Sequence, residues 1–102
     1  MASTGKPTWT FRDDARWVDD RLVVEFTLDF RDDEGNRVIT CSVTREALDD
    51  AARRNGPIDA AVAFRLFRTF KDKIESVVDR KLSLNHFEED GSIRVRTIDL
   101  NG

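Results

Sequence analysis

The sequence predicts an α+β fold, in which an antiparallel sheet of about four strands carries two helices on one face, in the order β-β-β-α-α-β. Two observations support this class. Apolar and polar residues alternate in the first half of the chain and again near its end, as in strands with one buried face. Between these segments the apolar residues recur at spacings of three and four, as on one side of a helix.

The composition fits one small domain without a cofactor. The chain has 102 residues, of which 39% are hydrophobic and 9% aromatic, and this length can bury a core. We expect residues 1–7 to form a flexible tail and residues 8–102 to form a single α+β domain. Because the chain has one cysteine and one histidine, an internal disulfide is excluded and the usual zinc sites are nearly excluded.

The charge and the N-terminus predict the surroundings of the protein. The formal net charge is −3, so no overall positive field attracts nucleic acid or an anionic membrane. The opening residues MASTGKPTW lack the apolar segment of a signal peptide, and no apolar run reaches membrane-spanning length. We therefore expect a cytoplasmic protein of bacterial type.

The first strand is short. The segment TWTF places Trp9 and Phe11 on one face of a strand, and a second short segment contains Trp17. The acidic pair Asp19-Asp20 can form a tight turn after it. Together these residues predict one short strand before the main part of the sheet.

A long hairpin follows. In RLVVEFTLDF, residues 21–30, the alternation predicts a buried face made of Leu22, Val24, Phe26, Leu28 and Phe30. Gly35 can adopt the positive φ of a hairpin loop. The return strand RVITCSV, residues 37–43, then places Cys41 on the same face as Ile39 and Val43.

Helix signals occupy the second half of the chain. Thr44 is a suitable N-cap for a short helix over REALDDAARRN, residues 45–55, which Gly56-Pro57 ends. A longer helix is predicted over residues 58–82. Its apolar stripe consists of Val62, Ala63, Leu66, Phe67, Phe70, Ile74, Val77 and Val78.

The segment SIRVRTIDL predicts a last strand, with Arg94 and Arg96 facing away from the core. The alternation then changes phase, because Ile98 and Leu100 have the wrong parity, and a bulge near Thr97 would restore it. If this strand lies beside residues 21–30, the two arginines form cross-strand pairs with acidic side chains there.

Cys41 and His86 are the two side chains with possible nucleophile and base chemistry. Cys41 could be a thiolate near a helix N-terminus with His86 as its base, or a small apolar side chain in the core. The alternation favours the core, where apolar surroundings raise the pKa of a thiol. His86 lies in the polar segment LNHFEED, which favours a solvated loop residue over a catalytic base.

Repeated acidic pairs suggest a carboxylate mechanism or a calcium loop as further alternatives. The segment DDEGN has a glycine among acidic residues, but it lacks the twelve-residue pattern and final glutamate of an EF-hand. Turns and solvated surfaces explain these pairs more simply.

Phe64 lies off the apolar stripe of the long helix. It could cover the sheet edge or the first helix, or it could lie in a homodimer seam flanked by Arg65 and Arg68. Both alternatives remain open. The basic residues of this helix could also contact phosphates, but the acidic residues between them and the acidic whole argue against nucleic acid.

The order of landmarks resembles a known family. The segments WTF, CSVTREALDD and AFRLFRTFKDKIE, followed by an acidic-glycine loop and a segment ending in IDL, resemble the family of short bacterial proteins of unknown function that carries the number 1488. The resemblance runs from Trp9 to Leu100. It implies a single small α+β domain in a bacterial cytosol and brings no activity or catalytic residue with it.

Three hypotheses about function follow. The leading one is a non-enzymatic module that binds another, unknown protein or itself as a homodimer, with Phe64, Arg65 and Arg68 as the candidate surface. The second is a small enzyme that uses Cys41 or surface carboxylates. The third is a weak nucleic-acid-binding module.

Overall fold

The computed structural model describes residues 7–101 and confirms the α+β class. Within these residues it contains five strands and four helices. In chain order they are β1 (Thr8–Phe11), β2 (Arg16–Val18), β3 (Val23–Asp32), β4 (Gly35–Thr44), α1 (Arg45–Ala52), α2 (Ala60–Thr69), α3 (Lys71–Ser83), β5 (Ile93–Val95) and α4 (Thr97–Asn101). Apart from Pro7, the tail predicted for residues 1–7 lies outside the described residues.

The sheet is centred on β3 and has the order β1-β3-β4-β5, with β2 also paired to β3. All pairs of β3 are antiparallel. The pair of β4 and β5 is parallel, with Cys41 opposite Ile93, so the prediction of a wholly antiparallel sheet is wrong at this edge. The helices α1 to α3 form a crossover that carries the chain across the sheet and returns it in the direction of β4.

The long hairpin forms as predicted, with one exception at its beginning. Gly35 has a φ of 126°, and the Asp32 carboxylate accepts a hydrogen bond from the Glu34 N–H at 2.9 Å across the turn. Leu22 was expected in the buried face but is 39% exposed. It lies in the turn before β3 with a φ of 54°, where its carbonyl accepts from the Arg45 N–H at 2.9 Å.

The first predicted helix is correct at its beginning and too long at its end. The Thr44 hydroxyl accepts from the Ala47 N–H at 3.2 Å, which confirms the cap. The helix ends at Ala52, because Arg53 adopts the left-handed conformation with a φ of 52°. A residue in this conformation lets the N–H groups that follow reach the last carbonyls of the helix.

The single helix predicted over residues 58–82 is two helices, α2 and α3, that meet at Phe70. Asp59 caps α2 by accepting from the Val62 N–H at 2.9 Å. Near the junction, the Thr69 hydroxyl donates to the Arg65 carbonyl at 2.9 Å. Such a bond to the carbonyl four residues back bends helices, and here the bend separates α2 from α3.

The last predicted strand is correct only over Ile93–Val95, and the bulge near Thr97 is wrong. The chain turns into α4 instead, which buries Leu100 and leaves Ile98 75% exposed. The Asp99 carboxylate accepts from the Arg96 N–H at 2.9 Å and pairs with the Lys81 ammonium at 3.1 Å. These two contacts satisfy the start of α4 and hold it against the end of α3.

The core lies between the helices and one face of the sheet. Phe26 of β3 and Phe67 of α2 meet there with their ring centroids 5.3 Å apart. The opposite face of the sheet, called here the outer face, carries alternate residues of the same strands. These residues include Arg16, Glu25, Thr27, Asp29, Thr40, Ser42 and Arg94.

Candidate functional site

The structure places Cys41 in the core. The residue is 0% exposed, in the middle of β4, and its thiol is free. Burial, together with a smaller contribution from the charge of Asp14, raises the pKa of the thiol to about 12. At neutral pH the thiolate is therefore scarce, and the side chain has the properties of a small apolar residue.

His86 lies at the surface, just after α3. Its backbone N–H donates to the Lys81 carbonyl at 2.8 Å, and within residues 7–101 no side-chain hydrogen bond links it to Cys41. The structure therefore does not assemble the nucleophile and base pair considered from the sequence.

Members of the acidic pairs hold local structure. Asp14 accepts hydrogen bonds from the Thr27 hydroxyl and from the Thr27 N–H, the latter at 2.9 Å. Partial burial opposes ionisation of Asp14, but these hydrogen bonds outweigh it and lower the pKa of the carboxyl. Asp49 pairs with Arg45 at 3.2 Å and with Arg54 at 2.8 Å. In the part of the chain that is described, no three His, Cys, Asp or Glu side chains are grouped to hold a metal ion.

The predicted interaction residues share one face of α2, which points away from the core. Positions 61, 64, 65 and 68 follow helical spacing, and this set, Ala61, Phe64, Arg65 and Arg68, is called here the α2 face. Ala61 and both arginines are exposed, and Phe64 is half-buried. Phe64 is absent from the hydrophobic residues that pack against the core, whereas Val62 and Phe70 are among them.

A second cluster, on the outer face of the sheet, was missed from the sequence. Glu25 is only 6% exposed although it belongs to the polar side of β3. Its carboxylate accepts from Arg16 of β2 at 3.0 Å and from Arg21 in the turn before β3. Two guanidinium groups thus cover one buried carboxylate, an arrangement in which each hydrogen bond is charge-assisted.

Strand register extends this cluster across the sheet. Glu25 lies opposite Ser42, and Ser42 lies beside Arg94 of β5. The condition for direct pairs between the last strand and β3 is not met, because β4 separates β5 from β3. Arg96 instead pairs with Glu88 at 2.7 Å, and this contact lowers the pKa of the Glu88 carboxyl. In the sequence, the only signal for the cluster was that its charged residues occupy the alternate strand positions that face away from the core.

The fold and its surface define a small two-layer α+β domain. The sheet has a polar outer face, and helix α2 carries two exposed arginines on the α2 face. The family model described as "Protein of unknown function (DUF1488)" matches residues 10–95, and the chain belongs to this family. The resemblance seen in the sequence is thereby confirmed. It establishes the family and leaves the activity open.

A solved structure shows the same fold. A crystal structure at 1.60 Å resolution of a protein of unknown function of this family from Shewanella loihica PV-4 superposes with a TM-score of 0.75. The two chains are 22% identical, and the match covers 85% of this chain and 90% of the other. No curated protein matches this chain. Within residues 7–101, no helix is both long and apolar enough to cross a membrane.

Proposed function

We propose that this protein is a non-enzymatic protein-binding module, whose α2 face docks on an acidic segment of a partner protein. One observation supports this most directly. Phe64 lies outside the core and is flanked by Arg65 and Arg68, whose guanidinium groups pair with no carboxylate among residues 7–101. An aromatic side chain beside unpaired arginines is a combination enriched at the centres of protein interfaces.

The main core contacts of α2 are made by other side chains. Helix α2 meets the core through Ala63, Leu66 and Phe67, which lie on its opposite side. Of the eleven arginines outside the α2 face, six form an ion pair with an acidic side chain among the described residues. The arginines that form such ion pairs are Arg12, Arg16, Arg21, Arg45, Arg54 and Arg96. Arg65 and Arg68 therefore remain available for charges supplied from outside.

Charge favours a different protein over a second copy of this one. In a symmetric dimer each patch faces its own copy. A dimer centred on Phe64 would bring Arg65 and Arg68 of both copies together, and like charges facing each other weaken association. A partner segment with an apolar residue and neighbouring Asp or Glu satisfies both the aromatic side chain and the arginines.

The two other hypotheses receive less support from the geometry. An enzyme that uses Cys41 would need a thiolate at a position that is fully buried and whose thiol pKa is raised to about 12. For nucleic acid, the two arginines of the α2 face are few compared with the several phosphate contacts that sustain binding at physiological salt. The net charge of −3 also opposes binding to a polyanion.

The proposal is tested with selected peptides. A random peptide library is selected on the wild-type protein, and the affinities of the enriched peptides are measured by calorimetry. We expect acidic peptides with an apolar anchor, and we expect the double variant Arg65→Glu/Arg68→Glu to bind them at least about tenfold more weakly. Phe64→Ala should weaken binding without a change in solution mass.

Arg80→Glu is the matched control, because Arg80 is also an exposed helix arginine without an ion pair among the described residues. It should bind the peptides like the wild type. Light scattering after gel filtration should give the mass of a monomer. A dimer that Phe64→Glu dissociates, or peptides bound equally well by the double variant, would contradict the proposal.

A further inference from the structure

A groove of about 340 Å³ lies on the outer face of the sheet, on the other side of the sheet from α2. It is called here the arginine groove, and its walls include Arg21, Glu25, Thr40, Ser42, Ser92 and Arg94. The strand register brings these residues together, because Glu25, Ser42 and Arg94 form one row across β3, β4 and β5. The groove is independent of the α2 face.

Arg94 is the residue whose bonding is incomplete. Its Nε is buried and has no hydrogen-bond partner among the described residues, and its guanidinium forms no ion pair there. Buried polar atoms without a partner are rare in folded proteins, because leaving such a donor unpaired costs free energy. An acceptor that enters the groove and meets a slightly turned Arg94 guanidinium would remove this cost.

The neighbouring groups are predominantly donors. Ser42 and Thr40 point their side chains to the same face, and neither hydroxyl bonds to a described residue. Glu25 is shared by Arg16 and Arg21, so its single negative charge leaves one of those two positive charges uncompensated. Asp90 is the other carboxylate on the groove, and Ser92 holds it through an N–H at 2.9 Å and a hydroxyl at 2.6 Å.

The chemistry of these walls defines a class of ligand. The walls carry two arginines, Arg21 and Arg94, and two carboxylates, Glu25 and Asp90. Arg16 lies outside the groove and also pairs with Glu25, so it adds one positive charge beside these walls. A guanidinium fork binds oxyanions in a bidentate manner, and hydroxyl groups add further donors. Donors that approach from the two strands β4 and β5 and from the turn before β3 surround a tetrahedral group better than a planar one.

We propose that the arginine groove binds the phosphate group of a small ligand, with Arg94 as the bidentate donor and Ser42 as a hydroxyl donor. Arg21 adds positive charge and is held in place by Glu25. The volume of the groove accommodates a phosphate together with a small attached group.

The test uses the full chain, inorganic phosphate and two-dimensional amide NMR at constant ionic strength, with chloride replaced by phosphate. We expect saturable shifts of the amides around Ser42 and Arg94, with a dissociation constant in the millimolar range or tighter. Arg94→Gln should weaken binding at least about tenfold. Arg94→Lys, which keeps the charge but loses the fork, should weaken it as well.

Arg31→Gln is the matched control, because Arg31 lies at the distal end of the same sheet, exposed and without an ion pair among the described residues. Its affinity for phosphate should equal that of the wild type. The dicarboxylate glutarate is titrated in parallel. The proposal is overturned if phosphate gives no saturable shifts, if both Arg94 variants bind like the wild type, or if glutarate binds and phosphate does not. None of these results bears on the α2 face, whose peptides are tested separately.

Discussion

The buried carboxylate of Glu25 allows a quantitative test of the outer face. The substitution Glu25→Gln keeps the size of the side chain and removes its charge. In the structure the Glu25 side chain is 8% exposed, and its carboxylate accepts from two guanidinium groups, whose side chains are 73% exposed for Arg16 and 59% exposed for Arg21. The test asks how much two charge-assisted hydrogen bonds contribute when only the acceptor is buried.

The expected magnitude follows from that asymmetry. A hydrogen bond to a charged group contributes about 1.5–3 kcal/mol to stability. The exposed arginines regain water when the charge is removed, and pairs with exposed partners contribute about 1 kcal/mol or less. Glutamine also keeps an acceptor oxygen. We therefore expect Glu25→Gln to lower the free energy of unfolding by about 1–2 kcal/mol, which corresponds to a midpoint about 5–15 °C lower.

Thermal and urea unfolding monitored by circular dichroism measure this change. Asp29→Asn is the control, because it removes the charge from a pair on the same face in which both side chains are about half exposed, Asp29 and Arg12. It should change stability less than Glu25→Gln does, and less still at high salt. If the two variants lose the same free energy of unfolding, burial of Glu25 adds nothing to its arginine contacts and the reasoning is refuted.

Three further predictions concern the buried Cys41 and the first residues of helices α1 and α4. Because the Cys41 thiol is buried and its pKa is raised to about 12, a thiol reagent at pH 8 should label it only after denaturant is added; rapid labelling of the native protein would place the side chain at the surface. Thr44→Ala removes the N-cap of α1 and should cost about 1 kcal/mol, measured by urea unfolding; an unchanged midpoint would mean that water caps the helix equally well. Burial opposes ionisation of Asp99, but the Arg96 N–H and Lys81 outweigh it and lower the pKa of its carboxyl in the folded state. The stability that Asp99 supplies is therefore complete above its unfolded pKa of about 3.9 and is lost as the pH falls through the lower folded pKa. Asp99→Asn should reduce the free energy of unfolding at pH 7 and make that free energy decrease less steeply below about pH 4. The same dependence of stability on pH in the variant and the wild type would contradict this.

Local signals in the sequence predicted the parts of the fold that depend on neighbours along the chain. The alternation in β3 and β4 placed Phe26 and Cys41 in the core, and the hydroxyl of Thr44 marked the start of α1. Spacing along α2 also separated Phe64 from the buried stripe. Such signals are reliable because a pleated strand or a helical turn fixes the direction of each side chain within a few residues.

Errors arose where a polar contact competes with the apolar pattern. The segment after Val95 alternates like a strand, yet Lys81 and the Arg96 N–H bind Asp99 and turn the segment into α4. The bond from Thr69 to the carbonyl of Arg65 divides a helix whose apolar stripe is continuous. In both places a polar contact that the apolar pattern does not record decides the path of the backbone.

The sequence by itself determined the class of the fold, the long hairpin, the first helix cap and the face of α2 that carries Phe64, since each depends on residues close together in the chain. The tertiary structure alone decided that β5 lies parallel to β4 and that Arg16, Glu25, Ser42 and Arg94 share one row. The physical reason is that lateral pairing of strands joins residues far apart in sequence, and their order depends on how the helices cross and cover the sheet. The sequence therefore does not show whether a charged residue on the polar side of a strand contacts water or another charged side chain.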